Sequence, residues 1–530
     1  MKSALSPSYL TLGLGLMIAG TLPRAFAGNI WDGGGASGNW SDAANWNGDA
    51  YPTTGGGALN FRGTTRTTNS NDKFTTSDTF STISFTTSPG AFVIGGNAIS
   101  LSTSIVNNAG SASTQTINLG LNLTSTVTVT STSSSMVLGG DLTGSGLLLS
   151  ASTGQTLTLN GNNSHAGGTR AYAGTLLLGS NTAAGTGTLQ LANQSGSADA
   201  AVLTNGAVTI SNGVTIKTGS SGTATLGGNT AAASTFSGGI TLERDLIVSA
   251  AAGGTVSFTN ALTGTTAKVS KDGAGAVVLA GTNTYKGATT INTGTLQLGN
   301  GGTTGTLSID SAITNNSALT INRSNAVAQG TDFSGAAITG TGELIKLGAG
   351  SLTLNATNTY GGATQVNAGS LILTSAGTIA STAYTIATDA TFNVSAKTTY
   401  TLASVATTIG VGATTAGYFN GPSGALTLGN SLTLNFSTSL LADGQTYDLF
   451  NFGSQTGQFT TIGLTGSITG SLNYTGVDLW TGSAGGYNFT FDEAAGVLSV
   501  ASAVPEPSSY AVLAGILIMG VVVCKRRHRS

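Results

Sequence analysis

Few side chains in this sequence could do chemistry, and they are widely spaced. Three of the four tryptophans, Trp31, Trp40 and Trp46, fall in the stretch WDGGGASGNWSDAANWNGDAYP at 31–52. Exposed indoles at such spacing could stack on sugar rings, so a glycan contact is one reading of them. A compact N-terminal cap with the indoles plugging the first coil is the other. The densest charged cluster between the two ends is Glu243, Arg244 and Asp245. Glycoside hydrolysis needs two carboxylates about 5 to 9.5 Å apart, and this cluster reads instead as a solvated turn. Lys271 with Asp272, and Glu343 with Lys346, stand at related points of a repeated pattern, which marks architecture rather than a unique site. His165 has only His528 for company among histidines. Cys524 is the sole cysteine, so neither a disulfide framework nor a Cys-based zinc site can form. No zinc-protease, EF-hand or phosphate-loop pattern occurs. No catalytic residue, metal or cofactor is expected, and the chain is not expected to be an enzyme.

The two ends carry an address. Lys2, the Leu-rich apolar run at 9–19 and the small residues Ala25 and Ala27 come in the order of a secretory signal, with the mature chain starting at Gly28. At the other end, Val504, Pro505, Glu506 and Pro507 precede an apolar run at 510–524. The basic cluster Lys525, Arg526, Arg527 and Arg529 follows, with His528 inside it. Pro505 and Pro507 keep the first part extended. The run of about 15 residues is shorter than the ~20 of a full span, and snorkelling basic side chains can lengthen it. A short transmembrane helix with its basic end in the cytoplasm is expected. This three-part tail resembles the PEP-CTERM sorting signal of Gram-negative bacteria. The resemblance implies handling by an exosortase-type membrane enzyme, with the Pro-Glu-Pro element as the recognised part.

The elements between the ends repeat. VVLAGTNTYKGATTINTGTLQL at 277–298 returns as LTLNATNTYGGATQVNAGSLIL at 352–373 and, more weakly, as LTLNGNNSHAGGTRAYAGTLLL at 157–178. Each copy follows a related segment, giving units at 141–178, 261–298 and 337–373. The ends of each copy alternate at period two, as half-buried strands do. Asn-Thr-Tyr between them reads as a corner, and His165 stands where the other copies have Tyr285 and Tyr360. Gly294 and Gly369 precede the next strand, where positive φ or close backbone approach is needed. Short strands and tight corners repeated along a chain make a solenoid, with two coils per unit. These units resemble the autotransporter-associated β-strand repeat, also called the passenger-associated transport repeat. The resemblance implies a right-handed parallel β-helix on an exported passenger. An autotransporter also carries a membrane β-barrel, for which residues 403–502 are too short, so the resemblance is taken as one of repeats and not of self-export.

Composition agrees with an all-β chain. Glycine accounts for 80 of 530 residues, charged residues for 7%, and the net charge is −2. Thr and Val suit strands, and Gly and Asn suit turns. With 18 Lys and Arg, several of them in the terminal segments, no basic stripe remains for nucleic acid. The expected architecture is a signal at 1–27, a Trp-rich cap at 28–60, an elongated solenoid at 61–402, a C-terminal β cap at 403–502 and the anchor at 503–530. The expected role is an exported structural protein of the cell surface, outer envelope or extracellular matrix, adhesive in character. Its expected partners are the sorting enzyme, the membrane through the tail, and exopolysaccharide or like rods. A carbohydrate-active β-helix enzyme and a Trp-based glycan adhesin are the rival readings. N-terminal sequencing of the exported protein should return Gly28 as the first residue, and a start well upstream would remove the signal assignment.

Overall fold

The structure, a computed structural model, describes residues 29–503 except 87–88, 109–112 and 193–194. Among these residues the chain is all β, a right-handed-type parallel β-solenoid of about 16 turns. The helical element is one 3-10 turn, Ala43–Asn45. At ~4.8 Å per coil such a stack runs on the order of 75 Å.

The alternating sequence pattern explains each rung. In Thr295–Leu298 and Ser351–Leu354 every second side chain is buried. The buried residues stack on their counterparts one coil away, because parallel pairing is in register. One ladder runs Phe236↔Phe258↔Leu279↔Leu298↔Ile321. The rings of Phe236 and Phe258 lie 5.4 Å apart and 12° from parallel, so like sits on like. Leu, Ile, Val and Phe fill the interior as one continuous core along the rod.

Two differences from the sequence reading stand out. Parallel rungs do not stop at 402. They continue through Ala406–Val411 and Ser431–Phe436 to Thr461–Gly466. The sequence hid these coils because they lack the corner motif and are longer: Thr460 bonds back to Asn430, 30 residues away. Only then does the pairing change sign. Gly470–Gly476, Leu479–Ala484, Tyr487–Asp492 and Val497–Ser502 form an antiparallel meander, which also pairs with Thr446–Asp448. At the other end, Ile30–Trp31 already pairs parallel with Ala58–Phe61, so the Trp-rich segment contributes the first described rung.

The glycines before strands behave as the spacing requires. Gly294 and Gly369 have φ of 66° and 64°. A Cβ on Gly369 would sit 2.3 Å from the Gly350 carbonyl oxygen, and one on Gly294 would sit 2.4 Å from that of Gly275. Gly174 holds the same place in the weaker copy, with φ of 73°. Gly369→Ala should therefore cost more than the ~1–2 kcal/mol of a left-handed alanine. Gly361→Ala, where a Cβ meets nothing within 4 Å, should be near neutral. Urea unfolding of the two variants against the parent checks this, and equal midpoints would show that the corner tolerates a side chain.

Candidate functional site

The corners of the repeats carry buried side chains bonded to neighbouring coils, and the repeat motif explains why. Asn163, Asn283 and Asn358 are all buried. Each accepts, through Oδ1, a backbone N–H from the coil before: Leu142 at 2.8 Å, Leu262 at 3.0 Å and Ile338 at 2.9 Å. These bonds span 21, 21 and 20 residues, which is one coil. Asn163 and Asn283 also donate, through Nδ2, to a carbonyl of the following coil, Ala183 and Thr306. Two residues on, the phenols of Tyr285 and Tyr360 are fully buried and bond Thr289 at 2.7 Å and Thr364 at 2.8 Å. Those threonines in turn bond Ser311 and Ser381 in the next coil. Burial pushes the Tyr285 hydroxyl up to about 12 and that of Tyr360 higher still, so both stay neutral.

His165 fills the tyrosine place. Its Nε2 lies 3.0 Å from Thr169 Oγ1, whose own hydrogen goes to the Ala184 carbonyl at 2.9 Å. Nε2 is therefore the donor, and Nδ1 is buried without a partner. Burial pulls its pKa from 6.5 down to about 4. His165 works as a corner residue.

Lys271 and Lys346 are the second recurrent device. Both are buried in the body of the rod. Lys271 Nζ donates to the carbonyls of Asp272, Gly273 and Thr293 at 3.0, 2.7 and 2.9 Å. Lys346 Nζ donates to those of Leu347, Gly348 and Ala368 at 2.7, 2.7 and 3.2 Å. All three ammonium hydrogens are thus spent on backbone, one of them on the next coil. Burial lowers both pKa values to about 8, and both residues remain mostly charged at pH 7. In the first copy the register position is taken by Ser150, where the long strand Leu148–Leu159 bulges between Ser150 and Thr156.

The other charged candidates are also tied to neighbouring coils. Glu243 pairs with Lys217 at 2.6 Å. Arg244 donates to the carbonyls of Ser220 and Gly222. Asp245 accepts the Lys268 N–H at 2.8 Å. Asp272 accepts from Asn292, and Glu343 from Gln365. The three side chains at 243–245 therefore point into three different attachments. Among the described residues, no three His, Cys, Asp or Glu side chains gather where a metal could be held.

Trp31, Trp40 and Trp46 require a correction. All three are 0% exposed. Trp46 meets Trp31 and Trp40 edge-on, with centroids at 5.2 and 5.6 Å, and all three indoles surround Phe61. Trp40 Nε1 donates to Asn69 Oδ1 at 2.8 Å, and Trp46 Nε1 to the Trp40 carbonyl at 3.1 Å. A sugar-stacking site needs an open ring face, and none is left. The residues pack because Ala43–Asn45 folds Trp46 back onto Trp31, with Asn45 and Asp42 bonding the glycine-rich loop at 33–38. The sorting motif Val504, Pro505, Glu506 and Pro507, the basic cluster Lys525, Arg526, Arg527 and Arg529, and the cleavage residues Ala25, Ala27 and Gly28 lie outside the described residues. No described helix is long and apolar enough to cross a membrane.

One recess was not anticipated. It has a volume of about 460 Å³ and lies between the corner at 378–381 and the strand Tyr400–Thr401. Ser381, Tyr384, Lys397, Tyr400, Ser404 and Thr427 contribute to its wall. Lys397 is the sole charged residue between Asp389 and Asp443, which is the sequence signal that could have flagged it.

Comparison with known proteins agrees with the corner geometry. Residues 154–178, 269–298 and 344–373 match the passenger-associated-transport-repeat family. These are the segments with the Asn and Tyr or His corners. The adhesin BmaC autotransporter of Brucella suis biovar 1 (strain 1330) is 45% identical over 80 residues. That match covers 15% of this chain and 2% of the adhesin, so the chain spans a small fraction of that relative. Fold and matches together define a parallel β-solenoid with passenger-type repeats.

The His165 environment sets a pH dependence. Between pH 6.5 and about 4 the unfolded chain binds the proton that the folded chain refuses, so stability present at pH 7 is lost as pH falls through that window. His165→Tyr, which restores the residue of the other corners, should lose less stability between pH 7 and pH 4.5 than the parent does. Thermal melting at the two pH values measures it, and identical acid losses would show that His165 is not the group responsible.

Proposed function

We propose that this protein is a surface-displayed structural rod of adhesive character and not an enzyme. The observation that carries this reading is the corner bonding. Asn, Tyr or His, and Thr in the three matched repeats, with Lys in two of them, are spent on holding coil to coil. His165, Lys271 and Lys346, three side chains suited to acid–base work, are thereby committed to structural bonds. The repeat matches and the resemblance to part of an adhesin support display outside the cell.

In this reading the segment 1–27 directs export, and the tail at 504–530 is the substrate of an exosortase-type enzyme. The tail anchors the chain in the membrane, at least transiently, before delivery to the surface or matrix. The antiparallel meander at the C-terminal side acts as a cap. It presents a turn of direction where the last parallel rung would otherwise offer an open edge to another rod. The tryptophan cluster acts the same way at the N-terminal side, as packing and not as a ligand platform.

The test is localisation with and without residues 504–530. In intact cells, added protease should cleave the full-length protein, and fractionation should recover it with the surface material. The truncated chain should shift to the periplasm or the medium. Unchanged distribution would remove the sorting role of the tail, and protection of the full-length protein in intact cells would remove surface display.

A further inference from the structure

The recess beside Lys397 sits where the solenoid changes its cross-section. The last matched repeat ends at 373. A short ladder begins just beyond it: Tyr400–Thr401 pairs with Ala425–Thr427, which pairs with Ser454–Thr456. Tyr400–Thr401 is the first strand of that ladder, and its other edge has no strand partner among the described residues. The corner at 378–381 lies on that side and leaves the gap open as the recess. Its volume of about 460 Å³ falls within the ~300–1,000 Å³ range of small-molecule pockets.

The wall combines rigid aromatic hydroxyls with one cation. Tyr384 and Tyr400 bond each other through their hydroxyls at 2.8 Å. Two phenols hold two hydrogens and that bond uses one, so one hydrogen of the pair is left for a further acceptor. Phe392 fixes both rings edge-on, at 5.0 Å from Tyr384 and 6.2 Å from Tyr400. The phenols are therefore held before any ligand arrives, which lowers the entropic cost of binding. Lys397 Nζ donates to the Ser375 carbonyl at 2.9 Å, one of its three hydrogens. Thr399, Thr401 and Ser404 add hydroxyls, and Ile379 and Val405 add an apolar side. Lys397 is the one charged residue in that lining.

We propose that this recess is a subsite for a carboxylate-bearing sugar residue of an acidic glycan. Lys397 pairs with the carboxylate, and the Tyr384 and Tyr400 phenols bond the ring hydroxyls. A hydroxyl-lined wall with a single cation matches a ligand rich in hydroxyls that carries one negative charge per residue. A peptide would instead present alternating amides to the open strand edge. The inference deepens the adhesive reading and rests on it for the kind of ligand met outside the cell.

Titration of the purified full-length chain with tetragalacturonate tests it by calorimetry. Saturable binding is expected, weakened about tenfold or more by Lys397→Met and largely kept by Lys397→Arg, as loss of a charge-assisted hydrogen bond predicts. Tyr400→Phe keeps the ring and removes one hydroxyl, and should weaken binding severalfold. The methyl-esterified tetrasaccharide should bind the parent about as weakly as tetragalacturonate binds Lys397→Met. Unchanged melting temperatures of the variants show that the fold is intact. Absence of saturable binding, a Lys397→Met titration equal to that of the parent, or equally tight binding of tetra-aspartate would each overturn the proposal. None of these results bears on protease accessibility in intact cells, so failure of the subsite and failure of surface display are read separately.

Discussion

In-register parallel pairing is the constraint on which everything else in this protein depends. Each coil takes its backbone hydrogen bonds from the coils before and after it, so a side chain on a parallel rung lies about 4.8 Å from its counterpart. Apolar residues profit from that arrangement: Phe236 over Phe258 and Leu279 over Leu298 build a core that extends as far as the ladder does. Charges suffer from it, because like would stack on like along the rod. Charged residues are 7% of the chain, and Lys217 with Glu243 shows the arrangement a ladder accepts, opposite charges on neighbouring coils.

The same constraint makes the corners costly. There the chain leaves the ladder, and backbone groups lose their strand partners inside a closed body where water cannot replace them. The sequence meets that cost with side chains. Asn163, Asn283 and Asn358 take the place of missing carbonyls and N–H groups. Lys271 and Lys346 offer three donors each to carbonyls that would otherwise be orphaned, which explains why a buried cation is tolerated. A lysine in this role is a structural pin. Its depressed pKa follows from burial and needs no catalytic purpose.

Where the corner motif ends, the rod changes. Beyond 373 the coils lengthen, a third short ladder opens at Tyr400–Thr401, and pairing turns antiparallel after 466. Glu493 shows how the terminal sheet solves the same problem with different residues. It is fully buried, accepts the Phe459 N–H at 2.6 Å and the Trp480 indole at 3.1 Å, and has its carboxyl raised by burial. The recess beside Lys397 lies at this transition, next to the unpaired edge of Tyr400–Thr401.

Sequence alone determined the repeating part of the protein. Period-two alternation marked the strands, Asn-Thr-Tyr marked the corners, and Gly294 and Gly369 marked positions that must turn left-handed. These are local rules, so a single chain displays them. The paired recurrence of Lys271 and Lys346 announced architecture even before their carbonyl partners were visible. Tertiary structure decided what depends on residues far apart in sequence. Trp31, Trp40 and Trp46 have the spacing of a stacking platform, and only the fold shows Phe61 and Asn69 filling that space. The coils from 406 to 466 lack the motif, and only pairing across up to 30 residues reveals them. Tyr384, Lys397 and Tyr400 come together because one cross-section of the solenoid gives way to another. No local pattern encodes that event, since it arises from how successive coils stack.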